Sequence, residues 1–267
     1  MTNVHLFTTD ASGLEIKRLL PVTDCITAVI YPENRAKSDK VRHLIESTRA
    51  DQIPTAMHPR TGLNERRIPV AQIGISWLYS QIISPVDLAR YPLGILNMHG
   101  GAIPEYRGAS ALHWTIVNGE DKLGITWHEI DDEVDAGAIC AESSIPIPHD
   151  ADAAEMREAM IRGGLRSFPE AWDQFRNRTR PPRFPDLSKG RVWPQRRSSD
   201  SLIEPGWPAR RVKDMVRACC PPWPAATIQT ENGLVEIRSV SDRPKPGAID
   251  YQTLDGVALY FEPIKRV

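Results

Sequence analysis

Apolar and polar positions along the first 150 residues switch repeatedly between a two-residue and a three-to-four-residue period. Residues 4–8 form a short apolar strand pattern followed by the turn Asp10-Ala-Ser-Gly13. Residues 14–20 read as a helix that must stop before Pro21. Residues 26–31 (Ile-Thr-Ala-Val-Ile-Tyr) are β-branched and apolar, the composition of a strand buried on both faces. Over residues 34–50, Val41, Leu44 and Ile45 recur at helical spacing in a polar background. Strand patterns return at 70–75, 95–98, 123–130 and 138–147, with helix patterns at 85–91 and 109–118 between them, the latter ended by Gly119. This alternation predicts an α/β fold built on a Rossmann-like, mostly parallel sheet.

Asp152-Ala-Ala-Glu155 has the spacing of a capping box, and Met156, Met160, Ile161, Leu165 and Phe168 make the apolar stripe of the helix it opens. Pro169 predicts a kink or a restart there. The pattern then changes. Pro181-Pro-Arg-Phe-Pro185 and Arg196-Arg-Ser-Ser-Asp200 make a linker-like tract. Beyond it come a short helix at 212–218 and strands at 227–229, 235–240 and 257–262. Residues 1–185 therefore read as one catalytic domain and 190–267 as a small β-rich C-terminal domain.

Candidate chemistry lies at the end of the strand over 95–98. Asn97 and His99 alternate, so both project from one side of an extended segment, and Gly100-Gly101 follows as a sharp turn that lets a ligand approach. An amide and an imidazole at a strand end of an open α/β sheet suit a reaction site. No Gly-x-Gly-x-x-Gly follows the first strand, so nothing supports a nicotinamide or flavin cofactor.

Asn97-x-His99-x-x-x-x-Pro104-x-Tyr106-Arg107-Gly108 resembles the signature of the folate-dependent formyltransferases, with Asp135 in Glu133-Val-Asp-Ala-Gly-Ala-Ile139 as the aspartate of that family's Asp-x-Gly turn. The similarity spans residues 74–142. It implies three catalytic roles. Asn97 stabilises the oxyanion, His99 manages the proton, and Asp135 fixes the imidazole and stabilises its cation. It implies 10-formyltetrahydrofolate as co-substrate and no metal. Bordering that donor it implies Gln81, Ile82 and Ile83, the loop of Gly101, Ala102, Ile103 and Pro104, and the acidic turn of Asp131, Asp132, Glu133 and Val134. Tyr106 either holds the loop after Pro104 or touches the acceptor, and Arg107 reads as structural. Many relatives have serine where this chain has Gly101. His113 and His128, taken with His99, match no compact zinc spacing.

Charge bears on the acceptor. The chain is 267 residues long with a formal net charge of −1, and residues 190–267 hold 12 Lys and Arg against 9 Asp and Glu. Neither figure suits a surface that grips a large polyanion, and the basic loop of methionyl-tRNA formyltransferases has no counterpart in Pro32-Glu-Asn-Arg-Ala-Lys-Ser-Asp-Lys40. Nucleic acid is therefore not the expected partner. Segment 122–137 is similar to formyltransferases acting on UDP-4-amino-arabinose. The expected acceptor is a dTDP-, GDP- or UDP-linked 4-amino sugar of surface polysaccharide synthesis, with methionyl-tRNA as the alternative. A hydrolase releasing formate would share the triad, but its relatives carry an N-terminal regulatory domain for which residues 1–30 leave no room. The four cysteines have no metal or redox spacing, and no run reaches the ~18 apolar residues of a membrane span. A cytoplasmic enzyme, homodimeric by family resemblance, is the expectation.

Overall fold

The computed structural model describes residues 1–63, 68–221 and 223–264. Eight strands and five helices come first in the chain: β1 (Thr2–Thr8), α1 (Ile16–Leu19), β2 (Asp24–Pro32), α2 (Asp39–Arg49), β3 (Thr55–His58), β4 (Ile73–Trp77), α3 (Pro85–Leu88), β5 (Ile95–His99), β6 (Tyr106–Gly108), α4 (Ala111–Val117), β7 (Lys122–Glu129), β8 (Ile139–Pro146) and α5 (Ala153–Asn177). Seven of the strands make a sheet in the order β3-β2-β1-β4-β5-β7-β8. The first five run parallel, and β7 and β8 add on antiparallel. Strand order reverses between β1 and β4, so a crevice opens beyond their carboxyl ends. The expected α/β architecture is present.

Burial explains why the strands form where they do. Val4, Leu6, Phe7, Val29, Ile30, Ile73, Ile75 and Ile95 are fully buried, as strands covered on both faces require. On one face α5 lies across β7 and β8, with Trp77, Trp127, Phe168 and Trp172 in a chain of ring contacts 5.3–5.7 Å apart. Burying four such rings contributes several kcal/mol each before entropy is counted.

Several boundaries differ from the sequence pattern. The segment predicted as one helix over 14–20 is a 3-10 turn followed by the single turn of α1. Helix α2 begins late because the Ser38 hydroxyl accepts the Val41 N–H and sets the cap. Strand β3 carries only four residues, too short for the period to register. Pro169 does not interrupt α5, which runs unbroken for 25 residues from its Asp152–Glu155 capping box. Phe168, Ala171 and Trp172, all buried beside the proline, hold both sides of the lost hydrogen bond against the core.

After α5 the chain forms β9 (Arg191–Trp193), β10 (Leu202–Ile203), α6 (Ala209–Ala218), β11 (Ala226–Thr230), β12 (Gly233–Ser241), β13 (Ile249–Gln252) and β14 (Ala258–Pro263). A second sheet has the order β10-β11-β12-β14-β13, and α6 covers it through Val212, Met215 and Val216 over Ile228, Ile237 and Phe261. The tract read as a linker is pinned: β9 pairs with β6, and Trp193 Nε1 donates to the Glu105 carbonyl at 2.9 Å. Among the described residues, no helix is long and apolar enough to cross a membrane.

Candidate active site

Strand β5 delivers Asn97 and His99 to the carboxyl edge of the sheet between β4 and β7. His99 is buried, with Nδ1 3.3 Å from Asp135 Oδ2 and Nε2 2.6 Å from the Tyr106 carbonyl oxygen. Asp135 follows β7 in a loop and takes φ +50°, a left-handed conformation that aspartate tolerates better than most residues. Its Oδ2 also accepts the Gly108 N–H at 2.7 Å, and its Oδ1 lies 3.3 Å from His128 Nε2. Thus Asn97, His99 and Asp135 converge.

His128 completes the group. Residues 97 and 128 are direct partners across the antiparallel β5–β7 pair. The His128 Nδ1 donates to the Glu129 carbonyl at 2.7 Å, which leaves Nε2 facing the Asn97 amide nitrogen at 2.9 Å. A side-chain amide has two N–H groups, so one proton of Asn97 stays free for a reacting oxygen. Sequence reading weighed His128 as a metal ligand or as a packed strand residue beside Trp127. Its cross-strand partner was the missing signal. His113 instead packs edge-on against Trp223, ring centroids 4.4 Å apart. No group of three or more His, Cys, Asp or Glu that could hold a metal occurs among the described residues.

The electrostatics oppose one another usefully. Burial holds the His99 pKa below its ordinary 6.5, partly offset by the Asp135 charge and the Tyr106 carbonyl. Burial would raise the Asp135 carboxyl, but His99, His128 and the Gly108 N–H outweigh it and hold it well below the usual carboxylate range. His99 therefore rests neutral at pH 7, yet both ring nitrogens face acceptors that satisfy its cation. Tyr106 is buried, its phenol pushed up to about 12 by burial and by its 2.7 Å hydrogen bond to Glu120. It stays a protonated donor aimed away from His99. Arg107 Nη1 reaches Glu133 Oε1 at 2.8 Å and so ties the acidic turn to β6.

Gly101 is fixed sterically. A Cβ there would stand 2.8 Å from His99 Nε2, Ala111 Cβ and the Tyr106 carbonyl oxygen. Any side chain at this position would have no room in this arrangement. Similarly, a Cβ on Gly137 would lie 2.0 Å from the Glu129 carbonyl oxygen, so only glycine closes the turn after Asp135.

Residues 64–171 match the formyl transferase family model. The chain carries a formyl transferase domain. A methionyl-tRNA formyltransferase from Roseiflexus sp. strain RS-1 is 30% identical over 193 residues, covering 70% of this chain and 59% of the relative. The chain thus spans about three fifths of that protein's length. WlaRD, a sugar 3N-formyltransferase crystallised in the presence of dTDP and 5-N-formyl-THF, superposes with a TM-score of 0.72 at 15% identity, over 100% of this chain and 99% of WlaRD. HypX from Aquifex aeolicus in complex with tetrahydrofolic acid superposes at 0.62 and 19% identity, over 98% of this chain and 43% of HypX.

The residues expected to border the donor lie in three segments of the chain. Gln81, Ile82 and Ile83 lie after β4, where Gln81 Nε2 donates to the His58 carbonyl at 3.0 Å, Ile82 is exposed and Ile83 is buried. Asp131, Asp132, Glu133 and Val134 are exposed in the turn just before Asp135. Gly101 and Ile103 are buried in the loop beneath His99, with Ala102 and Pro104 half-buried. The Gln81 Oε1 is buried without a hydrogen-bond partner.

Proposed function

We propose that this chain transfers a formyl group from 10-formyltetrahydrofolate to the amine of a nucleotide-linked 4-amino or 4-amino-4,6-dideoxy sugar, as surface polysaccharide or O-antigen synthesis requires. The convergence of Asn97, His99 and Asp135 carries the reading. The co-substrate supplies a formyl group already activated on nitrogen. Asn97 donates an N–H to the carbonyl oxygen as charge builds there, which is worth about 10²–10³ in rate for such a donor. His99 takes the proton from the incoming amine as it adds to the formyl carbon, and Asp135 and the Tyr106 carbonyl hold the imidazolium that results; collapse of the tetrahedral adduct then breaks the bond to N10 of tetrahydrofolate, which leaves with that proton. Because the Tyr106 carbonyl sits 2.6 Å from Nε2, that contact must lengthen for Nε2 to receive the proton.

Gln81–Ile83, Gly101–Pro104 and Asp131–Val134 are the residues assigned to the donor, with Tyr106 near the acceptor. We take residues 1–185 as the catalytic unit and 190–267 as the β-rich unit of a cytoplasmic homodimer. Two observations favour the sugar acceptor. Likeness of fold to WlaRD extends over nearly the whole of both chains. The charge of residues 190–267 is also slight for a tRNA surface.

The second reading, methionyl-tRNA formylation, rests on the 30% identity to that relative. A formyl-transfer assay with dTDP-, GDP- and UDP-linked 3- and 4-amino sugars and with methionyl-tRNA separates them. Turnover of a 4-amino sugar nucleotide alone is the expected result. Turnover of methionyl-tRNA alone overturns the acceptor, and formate release without any acceptor overturns transfer itself.

A further inference from the structure

A second concavity lies on the other side of the catalytic loop. It has a volume of about 530 Å³, bounded by Ala102, Tyr106, Lys122, Gly124, residues 188–191 and Trp193. Strand β7 runs antiparallel to β5 with Thr126 opposite His99, so Lys122 and Gly124 lie beyond the imidazole at the same edge of the sheet. The cavity is therefore neighbour to the reaction centre, and Tyr106 is the wall between them. Its ring borders the cavity and its carbonyl touches His99.

The lining is chemically selective. Three cations, Lys122, Lys189 and Arg191, face it. Lys122 makes no ion pair among the described residues, and Lys189 meets only the exposed Asp186 at 3.3 Å, a weak competitor. Arg191 lies flat on Trp193, 3.5 Å from the ring centroid, and Trp193 in turn stacks on Tyr106 at 5.5 Å with an interplanar angle of 8°. That stack fixes the guanidinium in place, so its N–H groups are pre-oriented for a bidentate anion. Two carboxylates, Glu105 and Glu120, share the rim, and Glu120 is engaged by the Tyr106 hydroxyl. Cations beside a free carboxylate suit a ligand that is anionic at one end and rich in hydroxyl donors at the other.

We propose that this cavity binds the nucleoside diphosphate portion of the acceptor, with Lys122, Lys189 and Arg191 on the phosphates and Glu105 on the ribose hydroxyls. The volume lies in the range of small-ligand sites, and a carboxylate opposite ribose hydroxyls is an established mode of nucleotide recognition. A nucleic-acid backbone has no use for the two rim carboxylates, which would repel it. Because Tyr106 spans both sites, occupation of the cavity acts on the contact that covers His99 Nε2. The identification rests on the sugar-nucleotide reading above, but the binding does not require catalysis.

The test is calorimetric titration of the whole protein with dTDP, GDP, UDP and inorganic pyrophosphate, repeated on Lys122→Ala and Arg191→Ala, with circular dichroism confirming the fold. Expected is saturable binding of at least one nucleoside diphosphate, weakened about tenfold or more by each exposed substitution, since each removes a charge-assisted contact. Pyrophosphate should bind more weakly than the nucleotide, and Glu105→Gln should weaken the nucleotide without weakening pyrophosphate. Nucleotide binding unchanged in both cation variants overturns the site. So does tight binding of uncharged tRNA lost with the same lysine and arginine, which marks a polyanion surface. If nucleotide binds as described but no sugar nucleotide is formylated, the site stands and the acceptor reading falls. If sugar nucleotides are formylated with unaltered KM in both cation variants, the acceptor reading stands and the site falls.

Discussion

Asn97 and His128 face each other across the β5–β7 pair, amide nitrogen to imidazole Nε2, at 2.9 Å. The same imidazole lies 3.3 Å from Asp135 Oδ1, so one ring touches both partners of His99's chemistry, and its own Nδ1 is anchored on the Glu129 carbonyl. His128 is thereby a positioning residue. Asn97→Ala should lower kcat by about 10² as an oxyanion donor is lost, and His128→Gln by about tenfold through misorientation. Because the two act as a unit, the double variant should lose little more than Asn97→Ala alone. Strict additivity in steady-state kinetics would separate His128 from the site.

Replacement of His99 by Asn should reduce formyl transfer by a factor on the order of 10² or more, the usual worth of a general base. The buried site is tight, so thermal unfolding should be checked beside it. Near-normal turnover in a folded His99→Asn protein would remove the imidazole from the mechanism.

The pH profile follows from the same burial. His99 has its pKa lowered below 6.5 by desolvation, against the raising effect of Asp135. Its neutral, base-competent form therefore persists below the pH at which a free imidazole would protonate, and the acid limb of kcat/KM should lie below pH 6.5. Asp135→Asn keeps a residue tolerant of φ +50° but removes the charge that raises His99. The plateau should fall, and the limb should move to still lower pH. A limb that moves upward would show that Asp135 acts on His99 in some other way.

How much of this was open to a reader of the sequence depends on range. β2 was legible because six consecutive β-branched, apolar or aromatic residues are rare outside a buried strand. The α5 start was legible because a capping box is a local device. The Asn97, His99 and Asp135 group was recognisable only through the registered glycines, Pro104 and Tyr106 around it. His128 was not, since strand alternation beside Trp127 reads as packing, and its partnership with Asn97 exists only once β5 and β7 are in register. Docking of residues 191–193 on β6 was hidden for the same reason: proline-rich sequence suggests a tether, while the pairing is set by a strand more than 80 residues away.

Stability should fall as pH falls from about 6.5, starting above the range in which carboxylates take up protons. His5, bonded to the Tyr91 hydroxyl at 2.8 Å and the Pro69 carbonyl at 2.8 Å, has its pKa lowered to about 4, chiefly by burial. His113 is lowered to about 4 by burial and by Arg196. In each case the folded pKa lies below the unfolded value of 6.5, so the unfolded chain takes up protons first. The stability these neutral rings confer is complete above pH 6.5 and is lost on the way down, at roughly 1.4 kcal/mol per pKa unit. Denaturant midpoints measured at pH 7, 5.5 and 4.5 should decline, and His5→Gln should flatten part of the decline. The depressed carboxyls, Asp135 and Asp87, act only at lower pH, below 3.8. An unchanged midpoint down to pH 4.5 would contradict the burial of these imidazoles.

Gly101→Ser tests whether the catalytic loop is set by packing, which leaves no room for the serine that the family resemblance suggests at this place. The added Cβ meets His99 Nε2, Ala111 Cβ and the Tyr106 carbonyl oxygen, all at 2.8 Å, and two of those three atoms cannot yield without moving backbone. The loop is also clamped from behind, where Gly190 packs on the Pro104 carbonyl and β9 pairs with β6. Overpacking of this kind costs about 1–3 kcal/mol. The nearest relief is to push Tyr106 off His99, which opens the 2.6 Å contact that covers Nε2. The substitution should therefore lower the unfolding midpoint and lower kcat together, with donor KM changed less. Should Gly101→Ser instead tighten donor binding at full stability, the loop would have room that the packing denies, and serine would be interchangeable with glycine here.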